Sequence, residues 1–177
     1  MTASNFSACF EEMEKFEGFH QFSNNPHDPG GATESGLTQR SYDAWRRKQG
    51  LPIRSVRVVT DDELQAIYRS EYWTQVRGDE LYPGLDLVLF DTAVNEGAVQ
   101  ATRDLQRALG VSVDGVFGLE TLGAIQNYGD KSGLIHAVCA RRMSFWRSLK
   151  TWVYFGKGWA ARGEDIEARA IAMLKTA

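Results

Sequence analysis

The stretch LDLVLFDTAVN, residues 85–95, decides the fold. Apolar side chains fall on every side of it, interrupted only by Asp86, Asp91, Thr92 and Asn95. A segment that is apolar all round belongs in a core, and its length predicts a central buried helix, although its first six residues alone would also suit a strand. Polar groups at Asp91 and Asn95, one helical turn apart, need hydrogen-bond partners if buried, so Asp91 is read as a structural network residue. Asn95, near the helix end, is read equally as a network member or as a sugar ligand.

Working outward, the neighbours also carry helical spacing. On the C-terminal side, 98–109 is amphipathic and closes on Gly110; DGVFG is a turn; Leu119, Leu122 and Ile125 begin another helix. Ser132 is placed to cap a long helix whose inner face runs through Leu134, Ile135, Val138, Cys139, Met143, Trp146 and Leu149, and a last helix is expected over 159–174. On the N-terminal side, Thr60 and Glu63 form a capping box ahead of a stripe of Leu64, Ile67, Tyr68 and Tyr72, and a further helix is expected over 39–48. Between 20 and 37, Asn, Pro, Asp and Gly leave room for at most a short β-hairpin. The fold class is therefore mainly α, with one long irregular loop, and such loops in compact domains are more often functional than filler.

Composition narrows the partners. The 177 residues carry a net charge of -3, so no basic excess exists to neutralise nucleic-acid phosphates or an anionic membrane surface. The short clusters Arg46-Arg47-Lys48 and Arg141-Arg142 read as solvated helix faces, as do Lys157 and Arg162. No apolar run approaches membrane-spanning length, so no insertion is expected. The N-terminus MTASNFSACFEEMEKF lacks the basic and unbroken apolar regions of a Sec signal, which predicts synthesis in the cytoplasm. Cys9 and Cys139 fall on apolar faces and read as two buried thiols, with a disulfide permitted but not required.

The first helix carries the chemistry. Phe6, Cys9, Phe10, Met13 and Phe16 recur at spacings of three and four, and Gly18 ends the run. At 100° per residue from Phe6, Phe10 lies at about 40°, Met13 at about 340° and Glu17 at about 20°. Glu17 thus lies in the middle of the apolar stripe, whereas Glu11 and Glu12 lie at about 140° and 240°. Desolvation and the negative end of the helix dipole both disfavour the ionised form, which suits a general acid. The alternative is that the helix has already ended and Glu17 turns to solvent. Asp28, in the turn NPHDPGG, is a carboxylate near water and so stays ionised; it is a base candidate or ordinary turn chemistry. A carboxyl pair about 6.5–9.5 Å apart, with Thr33 holding the water, would be the arrangement of an inverting glycosidase.

Those residues carry a family resemblance. Glu17-Gly18, then P-x-D-P-G-G-x-T over 26–33 and G-L-T at 36–38, resemble the glycoside hydrolase family 108 muramidases. The resemblance continues through IYRSEYW (67–73), FDTAVNEG (90–97), LQRALG (105–110), DGVFGLETL (114–122) and GKGWAAR (156–162). It implies a lysozyme-like fold, Glu17 as the catalytic acid, and a peptidoglycan-binding second half, drawn here as 1–88 catalytic and 89–177 binding, packed as one unit. Asp28 and Thr33 carry over from the similar arrangement of phage lysozymes, with a different spacing. The family pattern of a second Gly and a Tyr after the acid is replaced by Phe19 and His20, and an aromatic before G-L-T by Ser35, changes that touch sugar contacts.

The expected activity is hydrolysis of the β-1,4 bond between N-acetylmuramic acid and N-acetylglucosamine by a monomer. It needs no cofactor and no metal, and its partner is the peptidoglycan glycan strand. Tyr72, Trp73, Asn95 and Trp159 are the expected sugar-binding residues. Without a signal, the chain would reach the periplasm through a holin, as a phage endolysin does, or through a dedicated secretion system. Two alternatives stand beside this reading. One is a non-catalytic wall-binding module. The other is a zinc amidase or peptidase built on His20, His27, Asp28 and His136, weakened because His136 has no metal-ligand partner at helical spacing.

Overall fold

The structure is a computed structural model that describes residues 5–17, 21–23 and 32–176; of residues 16 and 17 it describes the backbone. It is mainly helical. Eight helices are present among the described residues: α1 (Phe6–Glu17), α2 (Gln39–Lys48), α3 (Asp61–Tyr68), α4 (Leu85–Glu96), α5 (Ala98–Leu109), α6 (Leu119–Asn127), α7 (Lys131–Ser148) and α8 (Trp152–Thr176). Three two-residue strands, β1 (Phe22–Ser23), β2 (Thr33–Glu34) and β3 (Leu37–Thr38), form an antiparallel sheet in the order β1-β2-β3. The chain divides into two compact units, Met1–Phe6 with Ser70–Ala177, and Ser7–Arg69.

The first unit is built round α4. Every residue from Leu85 to Ala93 is buried, as an all-round apolar helix demands, and α5, α7 and α8 surround it. Asp86 starts this helix by accepting from the Gly84 and Leu87 amides at 2.8 and 2.7 Å, while its other oxygen takes the Asn5 side-chain amide at 3.0 Å. Gly84 has φ +93, and a Cβ there would stand 2.3 Å from the Ala170 carbonyl oxygen on α8. Gly84→Ala combines left-handed strain with a backbone clash, so it is expected to cost about 2–4 kcal/mol, read as a lower urea midpoint at unchanged slope. An unshifted midpoint would show that α8 yields freely at that point.

α8 begins at Trp152, seven residues before the expected start at 159, because Gly156 and Gly158 do not break it. Gly156 is buried beneath its own helix's Trp152, where a Cβ would come within 2.6 Å of the indole. The glycine lets an indole lie flat against the backbone. α7 is capped by Asp130, which accepts from the Gly133 amide at 2.8 Å, and not by Ser132, which lies in its first turn. No helix among the described residues is long and apolar enough to cross a membrane.

The second unit is held by Gln39, whose side-chain amide donates to the Arg54 carbonyl at 2.9 Å and accepts from the Val56 amide at 2.7 Å, and by Glu63. Thr60 and Glu63 make the expected capping box, at 3.3 Å from the Glu63 amide to Thr60 Oγ1 and 3.2 Å in return. The same carboxylate accepts from Tyr42 Oη at 2.7 Å and from the guanidiniums of Arg46 and Arg54. Burial would raise its pKa, but the bonds from Tyr42, the Thr60 amide and Arg54 outweigh it and hold the carboxyl below its ordinary value. Arg46, expected on a solvated face, is 7% exposed and also donates to the Pro52 carbonyl at 2.5 Å. Its partner carboxylate lies 17 residues away, so local charge patterning could not show the pairing.

Candidate functional site

α1 follows its predicted stripe. Phe6, Cys9, Phe10 and Met13 are buried, Glu11 is exposed, and the backbone stays helical through Glu17. Phe10 meets Tyr68 edge-on at 5.5 Å. The side chain of Glu17, and the whole of Asp28, His20 and His27, lie outside the described residues.

Thr33 opens the β2–β3 hairpin, paired with Thr38, while Glu34 pairs with Leu37. The two loop residues, Ser35 and Gly36, have φ of 52° and 73°. Positive φ at both positions is the tight turn that matches strand twist, normally supplied by Asn-Gly. Ser35 holds it with a buried side chain whose hydroxyl donates to Glu34 Oε1 at 3.4 Å, while its carbonyl accepts from Tyr68 Oη at 3.2 Å. The Ser35 hydroxyl is thus turned inward, into the hairpin. Glu34, only 9% exposed and adjacent to Thr33, escaped the sequence reading. Its signal was period two, which places it on the inner face of the strand opposite Leu37.

In the first unit the expected sugar ligands separate. Trp73 is fully buried, edge-on to Phe6 at 5.4 Å and Phe90 at 5.5 Å, and its Nε1 donates to Asp79 Oδ1 at 2.8 Å. It presents no face to a sugar and is a core residue. Residues Arg69–Trp73 form a π-type turn, which adds a residue to the helical repeat and turns Trp73 inward while Tyr72 stays half-buried. Asn95 is exposed at the end of α4, its Nδ2 donating to the Asp91 carbonyl at 2.7 Å. Trp159, on α8, lines the same cavity as Asn95.

That cavity sits on a sealed group of charges. Asp91, fully buried, is 2.6 Å from Arg162 Nη2 through Oδ1 and 2.5 Å from Arg142 Nη1 through Oδ2, the latter contact falling outside hydrogen-bond angles. Arg142, 2% exposed, donates Nε to Glu96 Oε1 at 2.6 Å and lies 4.3 Å over the Trp146 ring. Neither Arg142 nor Arg162 is the solvated charge that its sequence context suggested. Burial pushes the Glu96 carboxyl above its ordinary value, with Arg142 opposing that shift, and burial also raises Asp104. Glu96 closes α4, and its role was hidden because its partner lies 46 residues on.

Cys9 and Cys139 form no disulfide. Burial pushes the Cys139 thiol up to about 12, leaving essentially no thiolate there near neutral pH. His136 sits 2.5 Å from Glu167 through Nδ1 on the exposed side of α7.

Comparison with known proteins accounts for both halves of the chain. The family described as Glycosyl hydrolase 108 matches residues 10–97, and the Predicted Peptidoglycan domain matches residues 100–164. Among solved structures, a structure of Brucella abortus SagA matches with a TM-score of 0.82 and 33% identity, over 96% of this chain and 95% of that one. No curated protein matches. With the mainly helical lysozyme-like architecture and the matches running from residue 10 to 164, the chain belongs to the glycosyl hydrolase 108 family and is a glycoside hydrolase that acts on peptidoglycan.

Proposed function

We propose that the chain is an N-acetylmuramidase. It cleaves the β-1,4 bond between N-acetylmuramic acid and N-acetylglucosamine, with Glu17 as general acid. The observation that carries this reading is the phase of α1: a buried stripe through Phe10 and Met13 leads, on an unbroken helix, to a carboxylate at its last residue. Glu17 donates its proton to the glycosidic oxygen as the C1–O bond breaks. Asp28 takes a proton from the attacking water, which Thr33 holds, and the new C1–OH forms on the opposite face of the ring. Overall one water is consumed and the anomeric configuration inverts.

Residues 1–88 supply the chemistry in this reading and 89–177 hold the wall, with Tyr72, Asn95 and Trp159 available to sugars. The enzyme acts as a monomer in the periplasm or wall, released through a holin or a secretion system. Mass spectrometry of the products from purified sacculi tests the assignment. N-acetylmuramic acid at the new reducing ends is the expected result. New amino termini and loss of activity in EDTA would replace it with a zinc peptidase or amidase. Sacculus binding without any release would leave a wall-binding module.

A further inference from the structure

The net charge of -3, which argues against an anionic membrane surface as a partner, is an average over an uneven chain. Residues 131–163 hold seven of the 20 Lys and Arg and none of the 23 Asp and Glu. Two of these cations, Arg142 and Arg162, are neutralised by the buried carboxylates of Asp91 and Glu96. Arg147, Lys150 and Lys157 are exposed, and no ion pair among the described residues involves them.

These three cations mark one corner of the first unit. They lie on the last turn of α7, in the three-residue connection and on the second turn of α8. The corner is fixed by its backbone: the Leu149 amide donates to the Trp146 carbonyl and the Trp152 amide to the Leu149 carbonyl, both at 3.0 Å. The Arg147 guanidinium stands 6.0 Å over the Trp152 ring. Between the cations, Val153, Tyr154 and Phe155 are 78%, 79% and 55% exposed. Phe155 is propped from beneath by Trp159, stacked on it at 5.7 Å and 29°, and Tyr154 meets Phe155 edge-on at 6.4 Å. The positive end of the α8 dipole lies at the same corner. A contiguous exposed apolar patch of this kind marks a surface that is covered in use.

Geometry and charge select what covers it. Consecutive helical residues lie about 100° apart, so the three side chains spread over about 200° of the helix surface. A groove in a partner protein reads one face of a helix, at spacings of three and four. A helix end that is apolar on several sides suits a fluid medium that closes round it. A second copy of the chain would set like charges against each other. Tyr and Trp beside Lys and Arg are the residues of the membrane–water interface, where rings sit at headgroup level and long cationic side chains reach the phosphates.

We infer that the corner between α7 and α8 is a peripheral membrane anchor. Tyr154 and Phe155 enter the headgroup region of an anionic phospholipid bilayer, and Arg147, Lys150 and Lys157 meet its phosphates. No helix crosses the bilayer in this arrangement; the contact holds the enzyme at a membrane bordering the wall. It depends neither on Glu17 nor on hydrolysis.

The test uses the full wild-type chain with vesicles of phosphatidylcholine alone or with about 30% phosphatidylglycerol. Binding is read by co-sedimentation and by quenching of tryptophan emission by brominated acyl chains. The anionic vesicles should bind at least about tenfold more tightly than the neutral ones, and raising salt from about 0.1 to 0.5 M should remove most of that difference. Tyr154→Ser with Phe155→Ser should weaken binding about tenfold and abolish the quenching. Lys157→Glu should weaken it about tenfold, whereas Lys175→Glu, the same change of charge about 27 Å further along α8, should leave it nearly unchanged.

All these substitutions are at solvent-exposed or largely exposed positions, so an unchanged thermal midpoint keeps the comparison valid. Equal binding to neutral and anionic vesicles, or equal loss from Lys157→Glu and Lys175→Glu, would overturn the anchor. Vesicles ignored while the same substitutions weaken sacculus binding would give the corner to the wall. Vesicles ignored while polyglutamate is retained would give it to an acidic protein.

Discussion

Glu17→Gln is expected to lower hydrolysis of purified peptidoglycan by about a thousandfold or more while leaving sacculus binding and the thermal midpoint close to wild type. General-acid catalysis by a positioned side chain is worth about 10²–10⁴ in rate, and the amide keeps shape and hydrogen bonding while removing the transferable proton. Because the loss falls on the chemical step, kcat and kcat/KM should fall together, as for an interaction made only in the transition state. Asp28→Asn should give a smaller loss if Thr33 and solvent still place the water. Reducing-end release by Glu17→Gln at the wild-type rate would remove Glu17 from the mechanism.

Asp91→Ala should destabilise the first unit by about 3–5 kcal/mol, the cost of removing one partner from a buried ion pair. The four charges Asp91, Glu96, Arg142 and Arg162 sum to zero, and the change leaves two guanidiniums facing one carboxylate, with Arg142 only 2% exposed. Asp91→Leu combined with Arg142→Met and Glu96→Gln removes the buried charges around Asp91 together, with only the partly exposed Arg162 left, and should recover part of the loss. Urea unfolding followed by tryptophan fluorescence reads both, since Trp146 lies under Arg142. A single variant as stable as wild type would mean that water reaches Arg142 readily.

The parts of the fold that were legible in the sequence are those set by local chemistry. The all-round apolar run 85–95 gave α4, Gly110 closed α5, and the Thr60–Glu63 box opened α3. What was hidden depended on contacts distant in sequence. Arg162 meets Asp91 across 71 residues, so its burial left no local trace. The expected last helix began at 159 and missed its first seven residues, because the indole that Gly156 makes room for is a contact that a glycine does not announce. The same holds for the candidate site: the buried stripe of α1 through Met13 was legible from one helix, whereas the meeting of Asn95 and Trp159 in one cavity required tertiary structure. Trp73 shows the converse, since helical spacing alone cannot tell a stacking platform from a core indole.

The first unit is discontinuous: Asn5 bonds to Asp86, Phe6 packs on Trp73 and Phe90, and residues 7–69 belong to the other unit. This fixes an order during synthesis on the ribosome. Once residue 69 has emerged, the second unit has its full complement of internal partners and can fold while translation continues. The first unit cannot, because its opening residues must wait for α4, and α4 must wait for Arg162 and Ala170 near the end of the chain. A nascent chain stalled before α8 would therefore leave the α8-facing side of its most apolar helix uncovered, which makes the last helix the step that seals the core of the newly made enzyme.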